Sequence, residues 1–423
     1  MNDRLAAASR ETFASLRVRN FRLFFVGQGI SQVGNWLTLI AQALLVLDLT
    51  GDGVAVGVLT AFQFGPVLLL GPWAGLVADR SDKRRLLFIV QAVAMAQSFA
   101  LGALAFLDEP PLIALYLVAS VGGLCMAFDN PARRSFVVEM VPEDLVHNAV
   151  SLNSAMMTSS RVIGPALGGL LITTVGYGWA FVADGASYVA VLVCLALLRT
   201  DELRRPPTTE RGRGQVRAGL RYVRATPVLA VPLVMMAVVG TLAFNFQVTF
   251  PLIVTRTFGQ SEAVFTLLFS VISAGSLVGA LWTARRRSIT VTDVIRSSAA
   301  FGVALLAFAA APGIAWAFPL GILVGIASIG FLTASTAIVQ TEAAPEMRGR
   351  VLALQAMVFL GSTPVGGPIV GWIAETAGPR WAVALGGLAG VGAAIWGTIA
   401  CRGHERAAHR EEEPVPVAVP EPT

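Results

Sequence analysis

Apolar stretches long enough to cross a lipid bilayer recur from Phe21 to Cys401, separated by short segments that hold most of the charge. About 20 apolar residues in helical conformation span a hydrocarbon core of about 30 Å. On that measure the chain divides into twelve spans, at 21–47, 53–77, 86–107, 111–130, 149–174, 178–199, 228–253, 262–284, 292–311, 314–339, 351–374 and 380–401. Asp129, Arg133, Arg134 and Glu139 crowd the boundary between the fourth and fifth. The pattern predicts an all-α membrane protein, and an even number of crossings puts both termini on one side.

Composition agrees with this reading. Of 423 residues, 55% are apolar and 13% charged, and the mean hydropathy is +0.70, outside the range of ordinary soluble domains. Of the 31 Lys and Arg residues, only Arg256 and Arg380 fall near the outer span ends and Arg161 inside a span. The others fall in the N-terminal segment, the linker, the remaining alternate loops and the tail, so the positive-inside rule makes both termini cytoplasmic. The net charge of +5 follows from this asymmetry and calls for no nucleic-acid partner. Arg17, Arg19 and Arg22 lead into a first span too long and polar for a cleavable signal, and a surface helix is expected there. Cys125, Cys194 and Cys401 show no paired or metal-ligand spacing, and His147, His404 and His409 fall in cytoplasmic segments.

The expected organisation is a cytoplasmic N-terminal segment (1–20), a six-helix bundle (21–199), a cytoplasmic linker (200–227), a second six-helix bundle (228–401) and a disordered tail (402–423). Within the linker, Arg alternates with Val, Leu and Tyr from Gln215 to Arg224 at the spacing of a membrane-surface helix. An internal repeat supports two related halves. Pro142-Glu143 precedes Gly164-Pro165-Ala166-Leu167-Gly168 by 22 residues, and Pro345-Glu346 precedes Gly367-Pro368-Ile369-Val370-Gly371 by the same distance, an offset of 203 between copies. Duplicated halves related by a pseudo-twofold axis would bind a substrate between them.

The clearest local motif runs from Gly75 through Asp79, Arg80, Ser81, Asp82, Lys83, Arg84 and Arg85, between the second and third spans. Gly75 would permit close helix approach, Asp79 places an acid at a helix end, and the basic run holds that end at the surface; ion pairs here could latch one conformation. The segment resembles the loop Gly-x-x-x-Asp-Arg-x-Gly-Arg-Arg of the major facilitator superfamily, with Asp82 in place of the second glycine. In the second half, Gly279 is followed by Thr283 and Arg285-Arg286-Arg287 with no acid. The resemblance sharpens to the branch that holds the enterobactin exporter and macrolide-efflux proteins. It rests on Asn20-Phe21-Arg22, Gly27-Gln28, Ser31 to Trp36, Asn130-Pro131-Ala132-Arg133, Val141 to Leu145 and Arg348-Gly349-Arg350-Val351. It implies secondary-active export from a bacterial inner membrane. Gly164, Pro165, Gly168 and Gly169 resemble the end of a helix-five motif of drug antiporters. Many relatives carry Asp where this chain has Asn35, which cannot titrate; if that acid serves coupling in them, this chain must use Asp184 or another carboxylate, or couple differently.

Charges inside the bilayer are costly unless paired or hydrated, which singles out Arg161 and Asp184. At 1.5 Å per residue Arg161 rises about 18 Å from one face while Asp184 descends about 9 Å from the other, bringing both near one level. An ion pair between them is expected, either as a structural strut or as a proton-coupling site. In the first span Gln28, Ser31, Gln32, Asn35, Thr38 and Gln42 occupy an arc of about 120° at 100° per residue, a polar stripe suited to interhelical bonds or to a water-filled cavity. Asn245 and Gln247 are the counterparts in the second half. Trp73, Trp179, Trp316, Trp372 and Trp381 sit near span ends, as interfacial anchors do.

The expected function is proton-driven export of a small amphipathic molecule, siderophore or drug-like, by alternating access of a monomer in the bilayer. Uptake by symport or lipid movement by the same fold is the alternative, ahead of a non-transporting membrane receptor or enzyme. No nucleophile–base pair, metal cluster or phosphate-binding loop appears, which argues against an enzyme or an ATP-driven pump, and no cofactor is expected beyond the proton gradient.

Overall fold

The computed structural model describes residues 12–204, 215–284, 286 and 289–412. The ordered elements are helices throughout: α1 (Arg19–Thr50), α2 (Gly53–Arg80), α3 (Lys83–Ala105), α4 (Leu112–Glu139), α5 (Val146–Ala196), α6 (Gln215–Ala225), α7 (Pro227–Ala243), α8 (Phe246–Leu252), α9 (Glu262–Ala284), α10 (Val291–Ala309), α11 (Ile314–Glu342), α12 (Pro345–Thr376) and α13 (Pro379–Glu412). A π-helical turn, Ile253–Thr257, continues α8. Helices are the economical solution here because a hydrocarbon core offers backbone N–H and C=O groups no partner outside the segment itself. Among the described residues eleven helical segments are long and apolar enough to cross a membrane.

The longest, α5, folds back on itself. Asn148 near its start accepts hydrogen bonds from Ser15 (backbone N 3.0 Å, Oγ 2.7 Å), and Leu197 just past its end accepts one from Arg19 (3.1 Å). Both ends therefore lie beside the start of α1, and the reversal is at Gly176 (φ 84°, ψ 171°), a conformation that costs an L-residue dearly. Residues 149–174 and 178–199 part at this turn. At the far end of α1 the chain reverses through Gly51 (φ 59°), whose N–H reaches Leu47 O, and Asp52 then caps α2 by accepting from Val54 N at 2.8 Å.

Helices α1–α5 lie along one another, as do α7–α13, and the two groups meet along two seams: α2 against α12, and α5 against α9. Glycines make these approaches possible. A side chain at Gly57 would strike Gly367 and Pro368, one at Gly371 would strike Gly53, and one at Gly169 would strike Thr266. Inside the first group Gly123 lies on the carbonyl of Gln63. Lipid contributes no hydrophobic drive between helices, so such contacts supply the association energy. Outward-facing Leu69, Leu281, Trp282 and Ile399 are exposed as expected of lipid contacts.

Three local expectations need correction. Gly75 has open space where its side chain would be, and its helix contacts come instead from the fully buried Ala74 and Ala78. In place of a surface helix before the first span, the described residues hold a single 3-10 turn, Ala14–Arg17, docked through Ser15 on Asn148. Residues 402–412, expected to be disordered, continue α13, because Glu405, Arg406, Ala407 and Ala408 favour helix and no proline intervenes before Pro414. The expected tail beyond Glu412, the N-terminal residues 1–11, much of the linker, and Arg285 and Arg287 lie outside the described residues.

Substituting Gly123→Val should lower the stability of the detergent-solubilised protein by about 1–3 kcal/mol, because the new side chain meets a backbone carbonyl that cannot yield. Gly75→Ala should leave it unchanged or raise it by less than about 1 kcal/mol. Thermal unfolding followed by size-exclusion chromatography measures both, and equal losses would contradict this packing.

Candidate functional site

Among the described residues, the buried charged side chains are Asp129, Arg133, Glu139 and Asp184, and all precede residue 200. From residue 227 to residue 402 no described side chain that is charged is buried; α7, α8, α10 and α12 meet instead through Phe244, Phe246, Phe250, Phe301, Phe308 and Phe359.

At the end where α2 gives way to α3, the basic motif is tied to neighbouring helices. Lys83 pairs with the buried Glu139 of α4 at 2.7 Å. Arg84 donates to the carbonyls of Leu195 (2.7 Å) and Ala196 (3.0 Å), where its charge also suits a helix C-terminus. Asp82, where relatives carry glycine, caps α3 by accepting from Arg85 N. Asp79 is half-buried and Arg80 exposed. Arg348 is exposed, while Arg350 lies beside Gly219 of the linker helix α6 and touches Met347 Sδ at 3.4 Å.

Deeper in this half, Asp129 and Arg133 pair at i, i+4 (2.5 Å), with Gln91 of α3 donating to Asp129 at 2.7 Å. Asp184 is handled differently. It accepts from Thr38 of α1 at 2.6 Å and Ser98 of α3 at 2.7 Å, with Ser187 at 3.5 Å, and Gly34 opposite it leaves room for the carboxylate. No cation reaches it among the described residues.

The expected Arg161–Asp184 ion pair does not form. Arg161 lies over the indole of Trp36, 5.2 Å from the ring centroid, and its Nε is enclosed without a partner. Depth placed the two charges at one level, but α1 stands between them. Asp184 meets α1 at Gly34 and Arg161 meets it at Trp36, and two residues at 100° each put these positions on opposite flanks of the helix. A cation–π contact returns about 0.5–2 kcal/mol, less than the several kcal/mol that an unpaired charge costs in a membrane core.

The polar stripe of α1 is divided. Asn35 is exposed, whereas Gln28, Gln32 and Gln42 are buried. Gln42 accepts from Gln63 at 3.5 Å, and both amide atoms of Gln28 lack partners. In the second group Asn245 is buried and donates to Thr241 O, leaving its Oδ1 without a partner, and Gln247 is half-buried. Gly164 sits against Trp36 and Val33, Gly168 against Leu37 and Gly169 against Thr266, all around the interior Pro165.

At the opposite end of the bundle, hydrogen bonds cross between the two groups. Glu375 accepts from Arg256 (2.7 Å) and from the backbone N–H of Gly53 (2.5 Å), while Arg256 also donates to Gly51 O. On the other seam Tyr177 donates to Glu262 at 2.6 Å. Both seams are thus tied at this end.

A family model described as a transmembrane secretion effector matches residues 10–418. The chain belongs to this family of the major facilitator superfamily. It is a membrane transporter and not an enzyme. Similar proteins are the staphyloferrin A transporter of Staphylococcus aureus (24% identical, covering 84% of this chain and 90% of that one) and the multidrug efflux pump Tap of Mycolicibacterium fortuitum (27%; 82% and 87%). Another is the enterobactin exporter EntS of Shigella flexneri (24%; 90% of each chain). Among solved structures, a bacterial homologue of the lysosomal transporter Spinster superposes with a TM-score of 0.68 at 16% identity, covering 95% of this chain and 99% of that one. A D-xylose-proton symporter gives 0.70 at 12% identity, covering 90% and 97%.

Sequence reasoning overlooked the ties of this transporter at Tyr177, Arg256, Glu262 and Glu375, because charges near span ends read as ordinary loop residues. It overlooked Thr38 and Ser98 as partners of Asp184, which required the azimuth of three helices. Asp129 and Arg133 were noted only as charges crowding a span boundary, although their i, i+4 spacing carried the signal of a pair. Removing the ties in a Tyr177→Phe, Glu375→Gln double variant should shift the population toward separation at this end, by about fivefold per hydrogen bond lost. Spin labels at the exposed positions 174 and 261, read by pulsed dipolar spectroscopy, should show a longer-distance component; unchanged distributions would mean that the ties do not hold the seam.

Proposed function

We propose that this transporter is a proton-driven exporter of a small amphipathic molecule, siderophore or drug-like, in a bacterial inner membrane. Its twelve crossings form two six-helix bundles, with both termini in the cytoplasm. Positive-inside asymmetry and the reversal of α5 at Gly176 support this topology. The tied end then faces the exterior, and the chain stands closed to the outside. Export is supported by the similarity to the enterobactin exporter EntS and to the multidrug efflux pump Tap.

The observation that carries proton coupling is Asp184, a buried carboxylate held by hydroxyls alone. A hydroxyl both donates and accepts, so Thr38 and Ser98 can serve the ionised and the protonated acid by rotating their protons. Asp129 lacks this freedom, since losing its charge would strand Arg133. In the proposed cycle a proton from the exterior neutralises Asp184, and its release to the cytoplasm accompanies return of the emptied carrier for the next substrate.

Inside-out vesicles given an inward-acidic gradient should accumulate an amphipathic fluorophore that the protein expels from cells, and an ionophore should stop it. Asp184→Asn should abolish gradient-driven accumulation while leaving substrate exchange intact. Undiminished accumulation by a well-folded Asn variant would exclude Asp184 as the coupling group, and accumulation only in right-side-out vesicles would reverse the direction.

A further inference from the structure

We infer that the transported molecule is an anion and that Arg161, beside the indole of Trp36, is its anchor, the carboxylate or comparably acidic oxygens of the substrate taking the guanidinium N–H groups. This deepens the export reading given above and rests on it.

Arg161 is the odd member among the charges set into the first group of helices. Arg133 has Asp129, Lys83 at the helix end has Glu139, and Asp184 has two hydroxyl donors. Arg161 has neither a carboxylate nor a hydrogen-bond acceptor among the described residues, and its Nε is enclosed without a partner. Arginine stays protonated at any accessible pH, so the charge cannot be shed. The indole of Trp36, 5.2 Å from the guanidinium carbon, supplies no hydrogen-bond acceptor of its own, so the N–H fork, matched to two acidic oxygens, is left for another partner.

The helix presents this fork to a polar face. At 100° per residue Ser151, Ser154, Thr158 and Arg161 share an arc of about 80° on α5, leading up from the end that carries the basic motif. Ser151 and Ser154 are exposed, and Thr158 and Arg161 are part-buried. The exposed apolar residues Ile163, Leu167 and Leu170 lie on the other side of the helix, roughly 170° away, where lipid would be. Two exposed faces of opposite polarity on one helix mean that only one meets hydrocarbon. On α1, Gln28 and Gln32 continue the ladder below Trp36 at intervals of four residues, and both amide atoms of Gln28 lack partners. The other buried charges of these helices do not cancel Arg161: Arg133, which touches Met157 Sδ at 3.3 Å, is balanced by Asp129, and Asp184 meets the opposite flank of α1. A neutral substrate would leave the cation as costly as before, and a cationic one would be repelled. An aromatic or amphipathic acid fits both the fork and the indole.

The test compares three probes of one shape, 1-naphthoate, 1-naphthylmethanol and 1-naphthylmethylamine, binding to the purified full chain in nanodiscs and read by naphthyl fluorescence. The wild type should bind the anion about tenfold or more tightly than the alcohol, and the amine most weakly. Arg161→Gln should erase the preference for the anion while leaving binding of the alcohol within about twofold, and Arg161→Lys should keep the order of the three with weaker anion binding. Comparable binding of all three by the wild type, no detectable binding of the anion, or a preference surviving in Arg161→Gln would overturn the assignment. The wild-type comparison needs no variant to fold. Gradient-driven accumulation of a cationic dye in inside-out vesicles, with naphthoate ignored, would sink the anion assignment and leave the exporter standing.

Discussion

A polar group placed in hydrocarbon must find its partner within the protein or in enclosed water, and this constraint organises the whole chain. The backbone meets it by remaining helical for nearly the full length described. The few side chains that cannot meet it through the backbone are then the informative ones. In the first group of helices each buried acid has donors: Asp129 from Arg133 and Gln91, Glu139 from Lys83, Asp184 from Thr38 and Ser98. In the second group the phenylalanine cluster leaves little to satisfy. Buried charge and aromatic packing are thereby separated between the two groups of helices.

Small residues carry the complementary requirement. Helices that approach this closely have no room for large side chains between them, and both seams between the groups run over glycine: Gly53 and Gly57 against Gly367 and Gly371, Gly169 against Thr266. Such contacts are strong when close and are lost over a small separation. The Tyr177–Glu262 and Arg256–Glu375 ties add direction to them, since they lie at one end only of each seam.

How far the sequence revealed this depended on which physical quantity each feature needed. Helix existence followed from apolar runs, and even the reversal within α5 fell where residues 174 and 178 bracket Gly176. Depth along a helix followed from 1.5 Å per residue and placed Arg161 and Asp184 near one level. Azimuth did not follow, because it depends on which neighbours each helix meets, and the expected ion pair failed for that reason alone. The polar stripe of α1 was recognised, but not its division into the exposed Asn35 and the buried Gln28, Gln32 and Gln42. Gly75 was read as a packing residue because a side chain of one hydrogen permits close helix approach, although the contact falls to Ala74 and Ala78.

The placement of the two charges on opposite flanks of α1 also restricts how they could communicate in the proposed cycle. Direct competition, in which a proton on Asp184 releases Arg161 to a substrate, requires the pair to touch, and they do not. The remaining link is α1 itself, which meets Asp184 at Gly34 and Arg161 at Trp36 within one helical turn. Rotation or tilt of α1 that tightens Thr38 on an ionised Asp184 must move Trp36 relative to Arg161, since both side chains ride on one rigid element. Gly164, under Trp36, and Pro165 lie where α5 would have to yield to that motion. Coupling by this route is mechanical, and it depends on the bulk of Trp36 and the absence of a side chain at Gly34 as much as on either charge.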